Sequence, residues 1–292
     1  MAISGFVVTY NRAPLLGTCL RSMRFADELI VIDKSSTDAS TRIARRYADR
    51  VISVPWSPTV EETRSFALDQ CRHDWIAFLD DDEMLSPAAI AFLHTPRDAE
   101  APDAVALPRR HWILGTFDAG AYYWPEHQVR FFRKGTVAFA PVVHGGIDLR
   151  TDHVDQIPPT SPIHIEHLSH VDAEQWIERT NRYTSRPQRV RTESEGKDLI
   201  GFAHRRIDHW LAKSRHSDCG DYAAAVALLR AIYDMVDRVK EWEVERGLDG
   251  AAAFHARCVE LEHAYDELES SLGIATGARR NPLRRRAGWH HW

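Results

Sequence analysis

Four acids stand in a row at Asp80-Asp81-Asp82-Glu83, directly after the apolar run Trp75-Ile76-Ala77-Phe78-Leu79. Five apolar residues bounded by charge read as a short buried strand, so the carboxylates arrive where that strand ends. Packed carboxylates repel one another. A divalent cation relieves the repulsion, because Mg²⁺ or Mn²⁺ takes one or two hard carboxylate oxygens together with the phosphates of a ligand. The competing reading is a solvated acidic turn that caps the next helix. Other polar groups follow other apolar runs: Thr9, Tyr10, Asn11 and Arg12 after the first, and Asp33 after the second. Asp33 can accept from a ligand or from a local turn. Arg64 falls in the first turns of a predicted helix, where the dipole disfavours a cation. It implies a facing anion, or else a surface pair with Glu61 or Glu62.

These groups need a scaffold. Ile3 to Thr9, Glu28 to Asp33, Val51 to Val54 and Trp75 to Leu79 read as strands. Helices are predicted from Pro14 to about Met23, through Tyr47, from Glu61 to Gln70, and from Ser86-Pro87 onward. Pro14 and Pro87 suit a first helical turn, and Ser36, Thr37, Asp38 and Ser86 supply capping oxygens. Strands alternating with ten-residue helices imply an α/β fold with a mostly parallel, doubly wound sheet. Such sheets bind ligands beyond the carboxyl ends of their strands, so Tyr10-Asn11-Arg12, Asp33 and Asp80–Asp82 should share one crevice. From about residue 103 to 165 the pattern changes to strands and turns rich in aromatics. Val105 to Pro108, Gln128 to Arg133 and Val137 to Val143 are its strands. From Asp172 the chain reads as helical: Glu174 to Tyr183, Asp221 to Arg246, and Ala251 to Leu272, with a break at Gly247-Leu248-Asp249-Gly250. The last two form a hairpin that packs on the sheet domain or pairs with a second copy as a homodimer.

Composition narrows the class. Hydrophobic content of 44% and charged content of 27% are ordinary for a globular chain. A net charge of −5 argues against a general nucleic-acid binder. Cys19, Cys71, Cys219 and Cys258 form no Cys-x-x-Cys pair, which fits reduced cytosolic thiols. The N-terminus reads as a strand, not a signal peptide, and no run of about 18 apolar residues would span a membrane. A cytoplasmic location is expected. The segment Arg279 to Trp292 combines five arginines with Trp289 and Trp292 and has no acid. It reads as a disordered tail, or as a peripheral contact with the anionic inner face of a membrane. His164, His167 and His170, three residues apart, do not share one helix face and have no cysteine beside them, so a zinc site is not expected.

Several strings occur in a telling order: Val8-Thr9-Tyr10-Asn11-Arg12, Val31-Ile32-Asp33-Lys34-Ser35-Ser36-Thr37-Asp38, Glu62-Thr63-Arg64-Ser65-Phe66-Ala67-Leu68, and Phe78-Leu79-Asp80-Asp81-Asp82-Glu83. Gln128-Val129-Arg130-Phe131-Phe132-Arg133, Val143-His144 and Thr180-Asn181-Arg182-Tyr183 follow. Together they resemble family 2 glycosyltransferases of the GT-A fold, nearest to the branch of lipopolysaccharide-core β-glucosyltransferases. The resemblance covers about residues 3 to 185. It implies a GT-A catalytic domain over 1–170, with a nucleotide-binding half at 1–100 and an acceptor-side half at 101–170. A helical extension over 171–278 and the basic tail over 279–292 complete the organisation.

The resemblance also implies roles. Asp33 would contact a uracil or ribose, with Thr9, Tyr10 and Asn11 beside the base; Tyr10 either stacks on it or simply packs. Arg64 would lie near the nucleotide, and Ser65 replaces the usual Asn. Asp80 would contact ribose or metal-bound water, and Asp82 would bind the cation bridging two phosphates. Asp81, where a small residue is usual, shares the cation or points outward, and Glu83 caps or orients. Arg130 and Gln128 would edge the pocket, with Arg130 facing a phosphate. Inversion by single displacement needs a base. The related branch has Glu after the His of its V-H-E string, but here Gly145 and Gly146 follow His144. His144, as base or as metal or phosphate ligand, and Glu126 are the candidates ahead of Asp148. The expected activity is metal-dependent inverting transfer from a nucleotide sugar, most simply a UDP-sugar, to a glycan or lipid-linked acceptor of the cell envelope. The alternative, motivated by Gly145, is a nucleotide-sugar-binding protein without turnover. A sugar-1-phosphate nucleotidyltransferase is disfavoured, because no Gly-rich loop follows the first strand.

Overall fold

The computed structural model describes residues 1–57, 60–97, 100–139, 147–185 and 198–273. The first part alternates as the pattern requires: β1 (Ile3–Thr9), α1 (Ala13–Ser22), β2 (Glu28–Asp33), α2 (Ser40–Tyr47), β3 (Arg50–Ser53), α3 (Glu61–Gln70) and β4 (Trp75–Asp80). A short β5 (Glu83–Leu85) and α4 (Pro87–His94) follow. The middle supplies β6 (Ala104–Ile113), β7 (Thr116–Phe117), β8 (His127–Arg133), β9 (Val137–Phe139), β10 (Ile147–Leu149), β11 (Val154–Gln156) and β12 (Ile165–His170). Then come α5 (Ala173–Thr184), α6 (Leu199–Lys213), α7 (Asp221–Glu245) and α8 (Gly250–Ser271).

The main sheet runs β3-β2-β1-β4-β8-β6-β12-β5. Its first four strands are parallel, and β8 enters antiparallel beside β4 and β6. This is the α/β architecture expected from the resemblance: a parallel half continued by a mixed half. Register aligns the strand ends that matter. Thr9 lies opposite Asp33, and Val8 lies opposite Asp80. Every residue of β1 and β2 is buried, as near-continuous apolar runs covered on both faces should be. One face packs Leu16, Leu20, Val31, Leu79 and Phe131, and the other Phe6, Ile30, Phe78 and Phe132. Gly5 on β1 leaves room for the turn after α1 and for β2: a Cβ there would meet Met23 Cε at 3.1 Å and Leu29 Cδ1 at 3.2 Å.

Two strands depart from the sequence reading. Glu83, expected to cap or orient after a turn, opens β5, and the histidine-bearing segment expected to lead into a helix is β12. They pair antiparallel, with Glu83 opposite His167. Both are short and carry charged or imidazole side chains, so neither shows the apolar alternation of a strand.

The chain divides into two compact units, Met1–Asp237 and Arg238–Trp292. The first extends well past residue 170 because α5, α6 and the start of α7 pack on the sheet part. Trp176, Val226 and Leu229 cluster with Ile113, and Trp210, Ala227 and Ala231 pack with Tyr122. The loop at Gly120 fits closely against Ser217, whose Cα would stand 2.6 Å from an added Cβ, and Ser217 Oγ donates to Asp118 at 2.6 Å. In the second unit Arg238 pairs with Glu245 at 3.3 Å, and α8 has no buried residue. No helix among the described residues is long and apolar enough to cross a membrane. His144 and the tail 279–292 lie outside the described residues.

Candidate nucleotide–metal site

The acidic run is not a solvated turn. Asp82 and Glu83 are buried, at 6% and 0% exposure, and the repulsion within the run is offset by arginines drawn from five elements or loops. Arg64 on α3 and Arg130 on β8 grip Asp80, the latter at 3.0 Å. Both guanidiniums lie over the Phe78 ring, at 5.8 and 4.5 Å from its centre, so the strand that delivers the acids also supports their counterions. Burial favours the protonated form of Asp80, but the two arginines outweigh it and hold its carboxyl below the usual range. Arg64 thus faces an anion, as its place in α3 implied, and that anion is the protein's own.

Asp81 points inward. It accepts from Thr9 Oγ1 at 2.9 Å, from the Tyr10 amide at 3.3 Å and from Arg12 Nε at 3.1 Å. Burial and the neighbouring Asp82 nevertheless push its carboxyl up to about 6, with Arg12 opposing. Asn11, at φ 49°, accepts from the Thr37 amide at 2.7 Å, and its own amide donates to Ser36 Oγ at 3.0 Å. It ties the β1 loop to the β2 loop. Asp33 takes the local role in this geometry: its oxygens accept from the Ser36 amide at 3.0 Å and from Thr41 Oγ1 at 2.6 Å. Tyr10 is 39% exposed and leans on Trp56, ring centres 6.2 Å apart. Trp56 was not singled out by the sequence reading, and only its exposure on a three-dimensional surface marks it.

Arg130 corrects an expectation. It does not edge a pocket toward a phosphate; it is 4% exposed and donates to Glu83 at 2.7 and 2.9 Å. Arg109 on β6 adds a third bond to Glu83 at 2.9 Å. Burial would raise the Glu83 carboxyl, yet Arg130 and Arg109 drive it well below the carboxylate range.

Asp82 differs from its neighbours. Its carboxylate meets Arg12 at 3.4 Å, His167 at 3.4 Å and Arg179 of α5 at 3.6 Å. All three contacts are longer than good charge-assisted hydrogen bonds. Burial pushes its carboxyl up, but His167 and Arg12 bring it down to about 2, so it is ionised at neutral pH with lone pairs not committed to short bonds. That donor character fits a hard divalent cation, which needs one or two carboxylates plus substrate phosphates and water. Among the described residues no group of three His, Cys, Asp or Glu is placed to hold a metal by itself. The acidic run would therefore contribute Asp82 and Asp80, with the ligand supplying the rest.

A chain of side chains links Asp82 to Glu126. Glu126 accepts from Arg109 at 2.6 and 3.1 Å and from Gln128 at 3.1 Å, and lies 2.6 Å from His111 Nε2. Burial raises its carboxyl, but the His111 hydrogen bond and Arg109 hold it well below the usual range. Glu126 is thus an ionised acceptor, and His111 Nε2 carries the proton between them. Burial, with His167 and Arg109, lowers His111 to about 4, so its Nδ1 is a lone pair. It lies 2.7 Å from His167 Nδ1, and the other nitrogen of His167 faces Asp82. Arg109 and His111 stand two apart on β6 and share a face; that spacing was the available signal. His164 instead bonds Glu166 at 2.8 Å, and His170 packs on Trp176 at 4.3 Å, so the three histidines take separate partners. Asp148 lies on the two-stranded β9–β10 sheet, paired with Arg150 at 3.2 Å.

The family described as "Glycosyl transferase family 2" matches residues 4–148. An uncharacterized glycosyltransferase of Rickettsia typhi is 38% identical over 208 residues, 68% of this chain and 68% of its own length. The lipopolysaccharide core biosynthesis glycosyltransferase LpsC of Rhizobium meliloti is 27% identical over 157 residues, half of this chain, and the match spans 57% of that relative's length. Among solved structures, TarS of S. aureus is similar at a TM-score of 0.41 and 15% identity, covering 74% of this chain and 43% of that one. Glucosyl-3-phosphoglycerate synthase from Mycobacterium tuberculosis is similar at 0.30 and 24% identity, covering 38% and 44%. The match along the site-bearing part of the chain, together with the relative aligned over two thirds of its length, makes this protein a member of glycosyltransferase family 2.

Proposed function

We propose that the protein is a metal-dependent, inverting glycosyltransferase that moves a sugar from a UDP-sugar to a glycan or lipid-linked acceptor in cell-envelope polysaccharide synthesis. The observation that carries this is Asp82: a buried, ionised carboxylate two residues beyond the end of β4, near Asp80, whose side-chain ion contacts among the described residues are all 3.4 Å or longer. Similarity to a lipopolysaccharide-core glycosyltransferase supports the acceptor class.

In this reading Tyr10 and Trp56 flank the base, while Asn11 and Asp33 shape the loops beneath the nucleoside. Asp82 and Asp80 would hold the divalent cation, which when bound supplies Lewis-acid stabilisation of the leaving diphosphate. Glu126 is the proposed base. Its side chain is 40% exposed, the most open carboxylate of the network, and it is ionised at neutral pH. An acceptor hydroxyl gives its proton to Glu126 as its oxygen bonds the anomeric carbon from the face opposite the diphosphate. The sugar–phosphate bond breaks and the nucleoside diphosphate leaves with the electron pair, inverting the anomeric centre. Arg109, His111 and Gln128 hold Glu126 in place for that step. His144 stays the second candidate.

One observation favours the alternative of binding without turnover. A carboxylate gripped by Arg109 and His111 is a weak base. Donor hydrolysis and transfer assays separate the two. For the site itself, calorimetry with UDP is expected to show affinity rising with Mn²⁺ in the wild type and losing that rise in Asp82→Asn. Equal affinity with and without metal in both proteins would refute the metal site.

A further inference from the structure

Asp80, Asp81, Asp82, Glu83 and Glu126 are five carboxylates in one connected cluster. They are met by five guanidiniums, those of Arg12, Arg64, Arg109, Arg130 and Arg179. Among the described residues the charges of this cluster balance, five against five. A divalent cation added alone leaves two positive charges in a partly buried place, where excess charge is costly. A nucleoside diphosphate brings about the charge that cancels them.

The arginines differ in how they are held. Arg130 and Arg109 make short bonds to Glu83, and Arg64 is tight on Asp80. Arg179 has one ion-pair partner among the described residues, Asp82, at 3.6 Å. Its helix does not depend on that contact. Asp172 caps α5 by accepting from the Gln175 amide at 2.8 Å, and Trp176 anchors it by donating to the Leu229 carbonyl at 3.1 Å. A long side chain on a fixed helix can swing without disturbing the fold. Arg179 is one of three cationic or imidazole groups within 3.6 Å of the Asp82 carboxylate, whose side chain is 9% exposed, so a cation and Arg179 would compete for the same oxygens.

We infer that Arg179 is an exchangeable counterion: it pairs with Asp82 as seen here and turns to the donor's diphosphate when a divalent cation takes Asp82. The inference rests on the metal–nucleotide reading above. It makes Arg179 a competitor of the metal and an ally of the nucleotide. Helix α5, outside the nucleotide-binding half, then becomes part of donor recognition.

The two roles give effects of opposite sign, which a merely structural arginine does not. In calorimetry on the full chain, Arg179→Gln is expected to bind Mn²⁺ alone about fivefold to tenfold more tightly than wild type. It should bind UDP in the presence of Mn²⁺ more weakly by a similar factor, each being the loss of one partly buried charge contact. Arg179→Lys should restore most of the UDP affinity. Arg12→Gln, which removes another contact to Asp82, should shift Mn²⁺ affinity in the same direction and keeps the test open if Arg179→Gln unfolds. Weaker or unchanged Mn²⁺ binding in both folded Gln variants overturns the inference, as does unchanged UDP binding in Arg179→Gln. Asp82→Asn separates the layers. If it keeps the full metal dependence of UDP binding, the metal reading itself fails. If it loses that dependence while the arginine variants show no opposed signs, only the exchange fails.

Discussion

At the scale of single residues, the site is a network in which each acid has a different environment and so a different task. Asp82 is the carboxylate proposed to take a cation, Glu83 is locked by Arg130 and Arg109, and Glu126 is the most exposed of the network. Glu126→Gln keeps the shape and removes the acceptor charge. Turnover is expected to fall about a hundredfold or more, with UDP affinity changed less than twofold, as transfer kinetics and calorimetry on the same preparation will show. His111 gives a test in pH. Its folded value of about 4 lies below the ordinary imidazole value, so between about pH 4 and 6.5 the unfolded chain binds a proton that the folded chain refuses. Stability should therefore rise with pH across that window, by an amount on the order of 1–3 kcal/mol from this group. Asp81, raised to about 6, acts in the opposite sense. The comparison that isolates His111 is thus wild type against His111→Gln, whose stability to urea should gain less, or lose more, than the wild type's as pH rises from about 4 to 6.5. The acidic run itself was legible in the sequence because four successive acids after an apolar strand are conspicuous. Its partners were not. Arg109, His111 and Arg179 come from β6 and α5; the two-residue spacing of Arg109 and His111 puts them on one strand face, but nothing local names the distant carboxylates that they meet.

At the scale of elements, the parallel half was the readable part. Periodic apolar runs, Pro14 and Pro87 at helix starts, and the capping Ser86 mark β1 to α4 closely. The mixed half was read only in outline, because β5 and β12 are stabilised by pairing with each other and with β6, not by an apolar pattern of their own. Ser86 joins the two regimes. Its Oγ accepts from the Ala89 amide at 3.1 Å as the N-cap of α4, accepts from the His164 amide at 3.2 Å, and donates to the Pro162 carbonyl at 2.8 Å. Ser86→Ala removes a cap and leaves buried groups on the approach to β12 unpaired. The expected loss is about 2 kcal/mol, above the ordinary cost of a cap alone. Chemical denaturation will measure it. Because β12 carries His167 opposite Glu83, loosening it should also weaken UDP binding with Mn²⁺, whereas a change confined to α4 would leave binding intact.

At the scale of the whole molecule, every residue assigned to the site lies within Met1–Asp237, and α8 belongs to the second unit. That helix has no buried side chain. Phe254, Leu261 and Leu268 recur at every seventh position, with Cys258, Tyr265 and Leu272 between them at alternating spacings of four and three. Such a seam suits a two-stranded coil. In parallel pairing of two copies, Arg257 and Glu262 would occupy facing flanking positions of opposite charge, while antiparallel pairing would set Glu262 against acids of its own kind. We therefore expect the full chain to self-associate through α8, and a chain ending at Glu245 to be monomeric. The shortened chain should still bind UDP with Mn²⁺ within about twofold of wild type, because the exchange at Asp82 needs α5 and not α8. Sedimentation of the two proteins tests the first expectation, and calorimetry tests the second. A monomeric full chain would refute the coil and leave the site unaffected. A monomeric short chain that has lost nucleotide binding would show instead that the site is completed by the second copy.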